Sequence, residues 1–340
     1  MLSVVPLGTR GHEGGRSRSA GGALPLAGRR NAAVARHGGA DLRIEPSSAG
    51  AMLVLRSDGG SVGSVSGGCV EEDLAERARQ GRLPRARAER VDYGVSVQEA
   101  QRFGLPCGGL LRLVVEPVPQ DASWPRELLA ALRERRRMCR RLELSSLTVS
   151  LRPAARGEVM RFDDETLETI HGPARRLLLI GAGQISSYLA QMAQALDYEV
   201  FVCDPREEVR AQWQVPGGVL LPHMPDDAVL ALQPDEDTAV VALTHDPKLD
   251  DLALLEALKS PAFYVGALGS HRTNAARRQR LAEFDLTEEE IARLHGPVGL
   301  PIGSRTPPEI AVSILAHLIA AQRGTVSGSA PCFYAQGEIR

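Results

Sequence analysis

Arg176-Leu-Leu-Leu-Ile-Gly-Ala-Gly-Gln-Ile-Ser186 decides the fold of the C-terminal half of this chain. Arg176–Gly181, with its apolar run, reads as a buried parallel strand, and residues 184–196 read as the helix that follows it. Gly181 permits the tight turn between them. Gly183 lets backbone approach a phosphate at the positive end of the helix. Ser186 stands at the third glycine position of the fingerprint, so helix and strand pack less closely there. A second strand, residues 199–203, ends on Asp204, 21 residues beyond Gly183. An acidic side chain there can bind a ribose hydroxyl. The same residues also fit a plain βα turn with an ordinary strand-end acid.

Working outward, strands at 218–221, 238–243 and 262–268 alternate with helical patterns. That alternation predicts a Rossmann-like parallel sheet with helices on both faces. Thr287-x-x-Glu290 and Thr306-x-x-Glu309 fit capping boxes, and the last helix runs from Pro308 to about Gln322. Ligands of such sheets bind outside the carboxyl ends of the strands. Thr244-His245-Asp246, Gly269-Ser270-His271-Arg272 and Gly303-Ser304-Arg305 should meet there. Ser270, Arg272, Ser304 and Arg305 are donor types that suit a phosphate. His245 and His271 suit proton transfer, or simple hydrogen bonding in a loop.

The N-terminal half has another texture. Residues 52–56 and 61–66 read as a hairpin, Gly67-Gly68-Cys69 turns into a helix, and Pro106-Cys107-Gly108-Gly109 enters a strand over 110–115. Residues 122–143 read as a charged helix bearing Arg133–Arg137 and Arg140-Arg141. Residues 147–151 and 158–161 read as a further hairpin. The expected organisation is an atypical, disordered or non-native segment over 1–50 and a small α+β domain over 51–172. A Rossmann-like domain over 173–325 and a tail over 326–340 complete it. Residues 1–50 carry seven Arg against three acidic residues and no sustained periodicity.

Cys69 and Cys107 are each bracketed by a glycine pair, which makes room for a ligand beside sulfur. Thiolates there would suit a soft metal, a metal–sulfur centre or persulfide transfer; two buried structural thiols fit as well. Cys139, Cys203 and Cys332 lack that setting and read as structural.

Forty basic against forty-two acidic residues leave a formal charge of −2, which argues against nucleic acid as a partner. No apolar run is long enough to span a membrane. The scattered cysteines suggest a reducing, cytoplasmic setting.

Six stretches occur in one order: Gly63-Ser-Val-Ser-Gly-Gly-Cys-Val-Glu-Glu-Asp-Leu74, Pro106-Cys-Gly-Gly109, Gly181-Ala-Gly183, Thr244-His-Asp-Pro-Lys248, Ala267-Leu-Gly-Ser-His-Arg-Thr273 and Gly303-Ser-Arg-Thr-Pro-Pro-Glu-Ile-Ala-Val-Ser-Ile314. Together they resemble the XdhC/CoxI family, accessory factors of xanthine dehydrogenase and related molybdenum hydroxylases. The resemblance covers roughly residues 51–325. It implies a cysteine-bearing domain followed by a Rossmann domain. It also implies a factor, without turnover of its own, that binds the molybdenum cofactor as molybdopterin or its dinucleotide. The factor would assist sulfuration and insertion, with the apo-hydroxylase and a cofactor sulfurtransferase as partners. A homodimer is compatible with the reading. Carried over, Cys69 and Cys107 become contacts at the molybdenum end. Gly181, Gly183, Ser186, Asp204, His245, Ser270, Arg272, Ser304 and Arg305 line the cofactor. Which domain holds the pterin stays open. His271 stands where the family more often carries Arg. The competing expectation is an NAD(P)-dependent oxidoreductase, with His245 as proton donor.

Overall fold

The structure, a computed structural model, describes residues 2–8, 51–66, 68–94, 98, 103 and 111–325. The chain divides into two compact units, one to Ala174 and one from Arg175.

The N-terminal unit holds two antiparallel sheets. The first contains β1 (Leu2–Gly8), β2 (Leu53–Leu55), β3 (Ser61–Gly63), β4 (Glu89–Tyr93) and β5 (Leu111–Pro117), in the order β3-β2-β1-β5-β4. Helix α1 (Cys69–Arg79) buries Val70, Leu74, Ala75 and Ala78 against one face of it, with Val4, Leu53, Leu55 and Leu113. The other face meets the second sheet through Val5, Val114, Leu142 and Leu167. That sheet has β6 (Met138–Glu143), β7 (Val149–Pro153), β8 (Arg161–Phe162) and β9 (Thr166–His171), in the order β7-β6-β9-β8.

Three sequence expectations are corrected here. Residues 2–8 are not irregular: they form the central strand of the first sheet, paired with both β2 and β5. Val4 and Val5 are fully buried on opposite faces, so this strand shows a continuous apolar run rather than alternation. The rest of 9–50 lies outside the described residues, as does the tail over 326–340.

The charged helix over 122–143 is also two elements. Helix α2 (Trp124–Arg133) stops at Arg135, whose φ of 63° is left-handed, and β6 follows. Its Arg140 is fully buried, 2.6 Å from the Glu116 carboxylate and 4.1 Å from the centre of the Trp124 ring. Finally, the strands near 147–151 and 158–161 do not pair with each other. β7 joins β6, and β8 joins β9.

The C-terminal unit is the parallel sheet that the glycine turn announced. It contains β10 (Arg175–Ile180), β11 (Tyr198–Cys203), β12 (Val219–Leu221), β13 (Thr238–Ala242), β14 (Tyr264–Ala267) and β15 (Leu294–His295). The order is β12-β11-β10-β13-β14-β15, with every neighbouring pair parallel. Strand order reverses between β10 and β13, the switch point where such sheets bind ligands. Helices α3 (Gln184–Ala195) and α9 (Pro307–Gln322) belong to the core on one face. Helices α5 (Pro225–Leu232), α6 (Pro247–Lys259) and α7 (His271–Leu281) cover the other. Short helices α4 (Glu207–Arg210) and α8 (Glu288–Ala292) fill connections.

A buried polar knot ties α9 to the sheet. His317 Nδ1 accepts a hydrogen bond from the Tyr264 hydroxyl at 2.9 Å, and His295 stacks on the Tyr264 ring at 4.4 Å. Burial, with His317 and Arg278 adding, pushes His295 down to about 4. The unfolded chain then takes up a proton before the folded one does. This domain is therefore expected to lose stability as pH falls from about 6.5 to about 4. Urea midpoints across that window check it. His295→Phe, which keeps a ring against Tyr264, should flatten the dependence.

Candidate functional site

Two places carry the residues singled out by chemistry, one in each domain. In the N-terminal domain, Cys69 is the first residue of α1 and is exposed, whereas Cys139 and Cys203 are buried. Cys203 donates to the His223 carbonyl at 3.3 Å, and burial pushes its thiol up to about 12. Both fit the structural reading. Cys107 lies outside the described residues.

The loop leading to Cys69 is held by Glu71. The Glu71 carboxylate accepts from Ser64 Oγ (2.8 Å), Val65 N (2.8 Å), Ser66 N (2.7 Å), Ser66 Oγ (2.5 Å) and Gly68 N (2.9 Å). One side chain thus serves five donors among the described residues of this loop. Asp73 is likewise engaged, by the Tyr93 hydroxyl at 2.7 Å and by Arg77 at 2.6 Å. Glu71→Ala is expected to destabilise this domain by about 2 kcal/mol, because several part-buried donors lose their acceptor together. Glu71→Gln, which keeps one acceptor oxygen, should recover part of the loss in a urea titration.

In the C-terminal domain the loops converge as the topology requires. Gly181 has φ 104°, and a Cβ there would stand 3.0 Å from the Thr244 Cα, so this turn is closed against the β13 loop. Gly183, the N-cap of α3, is different: a Cβ there meets nothing within 4 Å. Helix α3 also starts with no side-chain cap and no acid in its first turn. Its sister helices are served otherwise, α5 by Asp226 and Asp227, α6 by Asp246, α7 by Ser270 and α9 by Glu309. The first amides of α3 are therefore the ones left to an outside anion.

Asp204 sits at the expected strand end, but it is fully buried. Its carboxylate accepts from Ala182 N at 2.9 Å and takes Arg206 side-on, at 2.9 Å to Nε and 2.8 Å to Nη2. Burial alone would raise this carboxyl. The Arg206 guanidinium and the Ala182 and Arg206 amides outweigh that and hold it below the usual carboxylate range. Asp204 thus clamps the glycine turn to β11, and Arg206, about two-fifths exposed, is what this strand end shows to solvent. Ser186 is buried in α3 and sits under the turn rather than at its rim.

His245 follows β13. It is exposed and has φ 62°, a left-handed backbone that a non-glycine residue adopts only when its surroundings impose it. Ser270 caps α7 by accepting from Thr273 N at 3.1 Å, with His271 and Arg272 exposed in the first turn. Ser304 and Arg305 precede α9. Further along this helix, Ser313 bonds Leu300 and His317 bonds Tyr264 at the start of β14, so the helix descends from the carboxyl edge. Ser304 and Arg305 therefore sit at that edge. The Arg305 and Thr306 amides are already taken by Glu309, at 2.7 and 3.0 Å. Among the described residues, no group of three or more His, Cys, Asp or Glu could hold a metal ion.

Comparison with known proteins agrees with this geometry. Residues 177–318 match the XdhC Rossmann domain, and residues 43–94 match the XdhC and CoxI family. The chain is 28% identical to the uncharacterized protein YqeB of Escherichia coli over 282 residues, 82% of this chain, and it spans only 41% of the length of YqeB. It is 29% identical to the molybdenum cofactor insertion chaperone PaoD of Escherichia coli over 271 residues, covering 79% of this chain and 77% of PaoD. A crystal structure described as a xanthine dehydrogenase from Bacillus halodurans shares the fold, with a TM-score of 0.65 at 22% identity over 97% of this chain and 94% of that one. The two family segments lie in the order, and on the domains, that the exposed Cys69 and the glycine turn mark out, and the chain belongs to the XdhC/CoxI family.

Proposed function

We propose that this protein is an accessory factor that binds the molybdenum cofactor and helps insert it into a xanthine dehydrogenase-type hydroxylase. The observation that carries the reading is its likeness to the insertion chaperone PaoD, which extends through both domains. The cofactor is cargo here, a phosphorylated pterin whose molybdenum arrives with its own dithiolene ligands. The open face of Gly183 and the uncapped start of α3 are suited to its phosphate. In the N-terminal domain, taken by itself, the exposed Cys69 at the start of α1 is suited to a soft metal, and Cys107 lies outside the described residues. Arg272, Ser270 and His245 would border the same cargo at the sheet edge.

Sulfuration of the held cofactor by a sulfurtransferase, and delivery from a cytoplasmic homodimer, complete the proposal. No helix among the described residues is long and apolar enough to cross a membrane. A nicotinamide nucleotide is the weaker alternative, because the carboxylate that would take its ribose diol is buried and engaged by Arg206.

The test is expression in a host that makes the cofactor, followed by molybdenum analysis and oxidised-pterin fluorescence of the purified chain. Near-stoichiometric pterin is expected, with at least a tenfold loss in Cys69→Ser and Cys107→Ser. A chain that carries no pterin but retains NAD(P) would overturn the reading.

A further inference from the structure

The edge that would border the cargo rests on a buried ion pair which no motif marks. Asp250 lies in the first turn of α6 and Arg277 in the middle of α7, at 1% and 2% exposure. Asp250 Oδ1 accepts from Thr244 N at 3.1 Å and Thr244 Oγ1 at 2.7 Å, so it grips the residue just before His245. Its other oxygen accepts from Arg277 Nη2 at 2.9 Å. Arg277 Nη1 in turn donates to the Leu268 carbonyl at 3.0 Å, just before Gly269-Ser270, and to Asn274 Oδ1 at 2.7 Å. Asn274 closes the circuit by donating to the Gly269 and Ser270 carbonyls, at 3.1 and 3.2 Å. Two neighbouring strand-end loops are thus fastened to one charge pair below them. On the first of these loops, His245 keeps a left-handed backbone with its side chain exposed.

We infer that Asp250 and Arg277 are positioning residues for the cargo edge: the pair sets the His245 loop and the Ser270 loop against each other, and His245 touches the cargo from the conformation so imposed. This inference deepens the proposed cofactor-binding role and rests on it. A buried pair of this kind is not needed for stability as such, since apolar or neutral replacements of both partners are often neutral. Its two ends, however, reach backbone atoms of two separate loops, and only a partner pair of this length spans them. Asp251 supports the guanidinium from the side, at 3.3 Å to Arg277 and 2.7 Å to Arg280.

The experiment compares the full chain with Asp250→Asn, Arg277→Met and the double variant. Thermal unfolding, amide hydrogen exchange over residues 243–247 and 268–273, and retained pterin are read together. Each single variant should unfold at a lower temperature, because a buried polar group loses its partner. The double variant should regain most of that loss, because no unpaired buried charge remains. Exchange over 268–273 should stay at least tenfold faster in all variants lacking Arg277, with a parallel tenfold loss of pterin. Pterin retention and loop protection that recover together with stability in the double variant would reduce the pair to a structural one and overturn the inference. If the unaltered chain carries no pterin, the cofactor reading falls by itself. The exchange rates then decide the positioning role, which fails if Arg277→Met leaves both loops protected.

Discussion

Val4→Asp is expected to unfold the N-terminal domain outright. Val4 is fully buried between α1 and the first sheet, in contact with a core that includes Leu53, Leu55, Leu74 and Leu113. The side chains around it are overwhelmingly apolar, so the residue must be buried charged or buried protonated. Either costs several kcal/mol, on the order of the whole stability of a domain this size. The backbone multiplies the effect. β1 pairs with β2 through Leu2–Val4 and with β5 along its length, so losing it strips both neighbours of their ladders. A chain beginning at residue 10 should fail in the same way. Circular dichroism and limited proteolysis should show loss of the N-terminal domain, whereas Ser3→Ala should leave it folded. A Val4→Asp chain with unchanged protection in β2 and β5 would show that this strand is dispensable.

That strand also marks where the sequence stops being legible. Hydrophobic periodicity reports an element when its environment is regular, and the C-terminal sheet is the regular case. Buried runs such as Leu177–Ile180 and Ala239–Ala242 stand between helices at the expected spacing, and five of the six strands fall within two residues of those read from the sequence, whereas the two-residue β15 carries no readable run. In β1, Ser3, Val4 and Val5 are just as buried, but the strand stands alone, with no helical pattern beside it. It is followed by an Arg-rich stretch whose composition dominates any window laid over it. Arg140 misleads for the opposite reason. A run of arginines reads as a solvated helix unless one of them has a buried partner, and Glu116 lies 24 positions earlier. The same blindness hides the Asp250–Arg277 pair, 27 positions apart.

At the site, spacing located the strand end that carries Asp204 but not what its carboxylate engages. Asp204 stands where a ribose-binding acid belongs. Whether such an acid faces a ligand or its own glycine turn depends on a neighbour two residues away, Arg206, and on burial that no spacing reveals. Glu71 is the converse. It stands two residues after Cys69 in the sequence, but the donors it serves come from a loop whose path had to be known first.

The two glycines of the turn separate fold from binding. Gly181→Ala places a Cβ 3.0 Å from the Thr244 Cα, on a residue whose φ of 104° already disfavours a side chain. It is expected to cost about 1–3 kcal/mol and to lower both stability and pterin retention. Gly183→Asp enters open space at an N-cap whose φ is −83°, an extended conformation that aspartate adopts without strain. Aspartate is a better N-cap than glycine, so stability should hold or rise by about a few tenths of a kcal/mol. The same carboxylate would occupy the amides of α3 and repel a phosphate, so pterin retention should fall at least a hundredfold. Purified side by side, Gly183→Asp should be the better folded protein and the emptier one. If it instead retains the cofactor at the level of the unaltered chain, the phosphate of the cargo is not held at the start of α3.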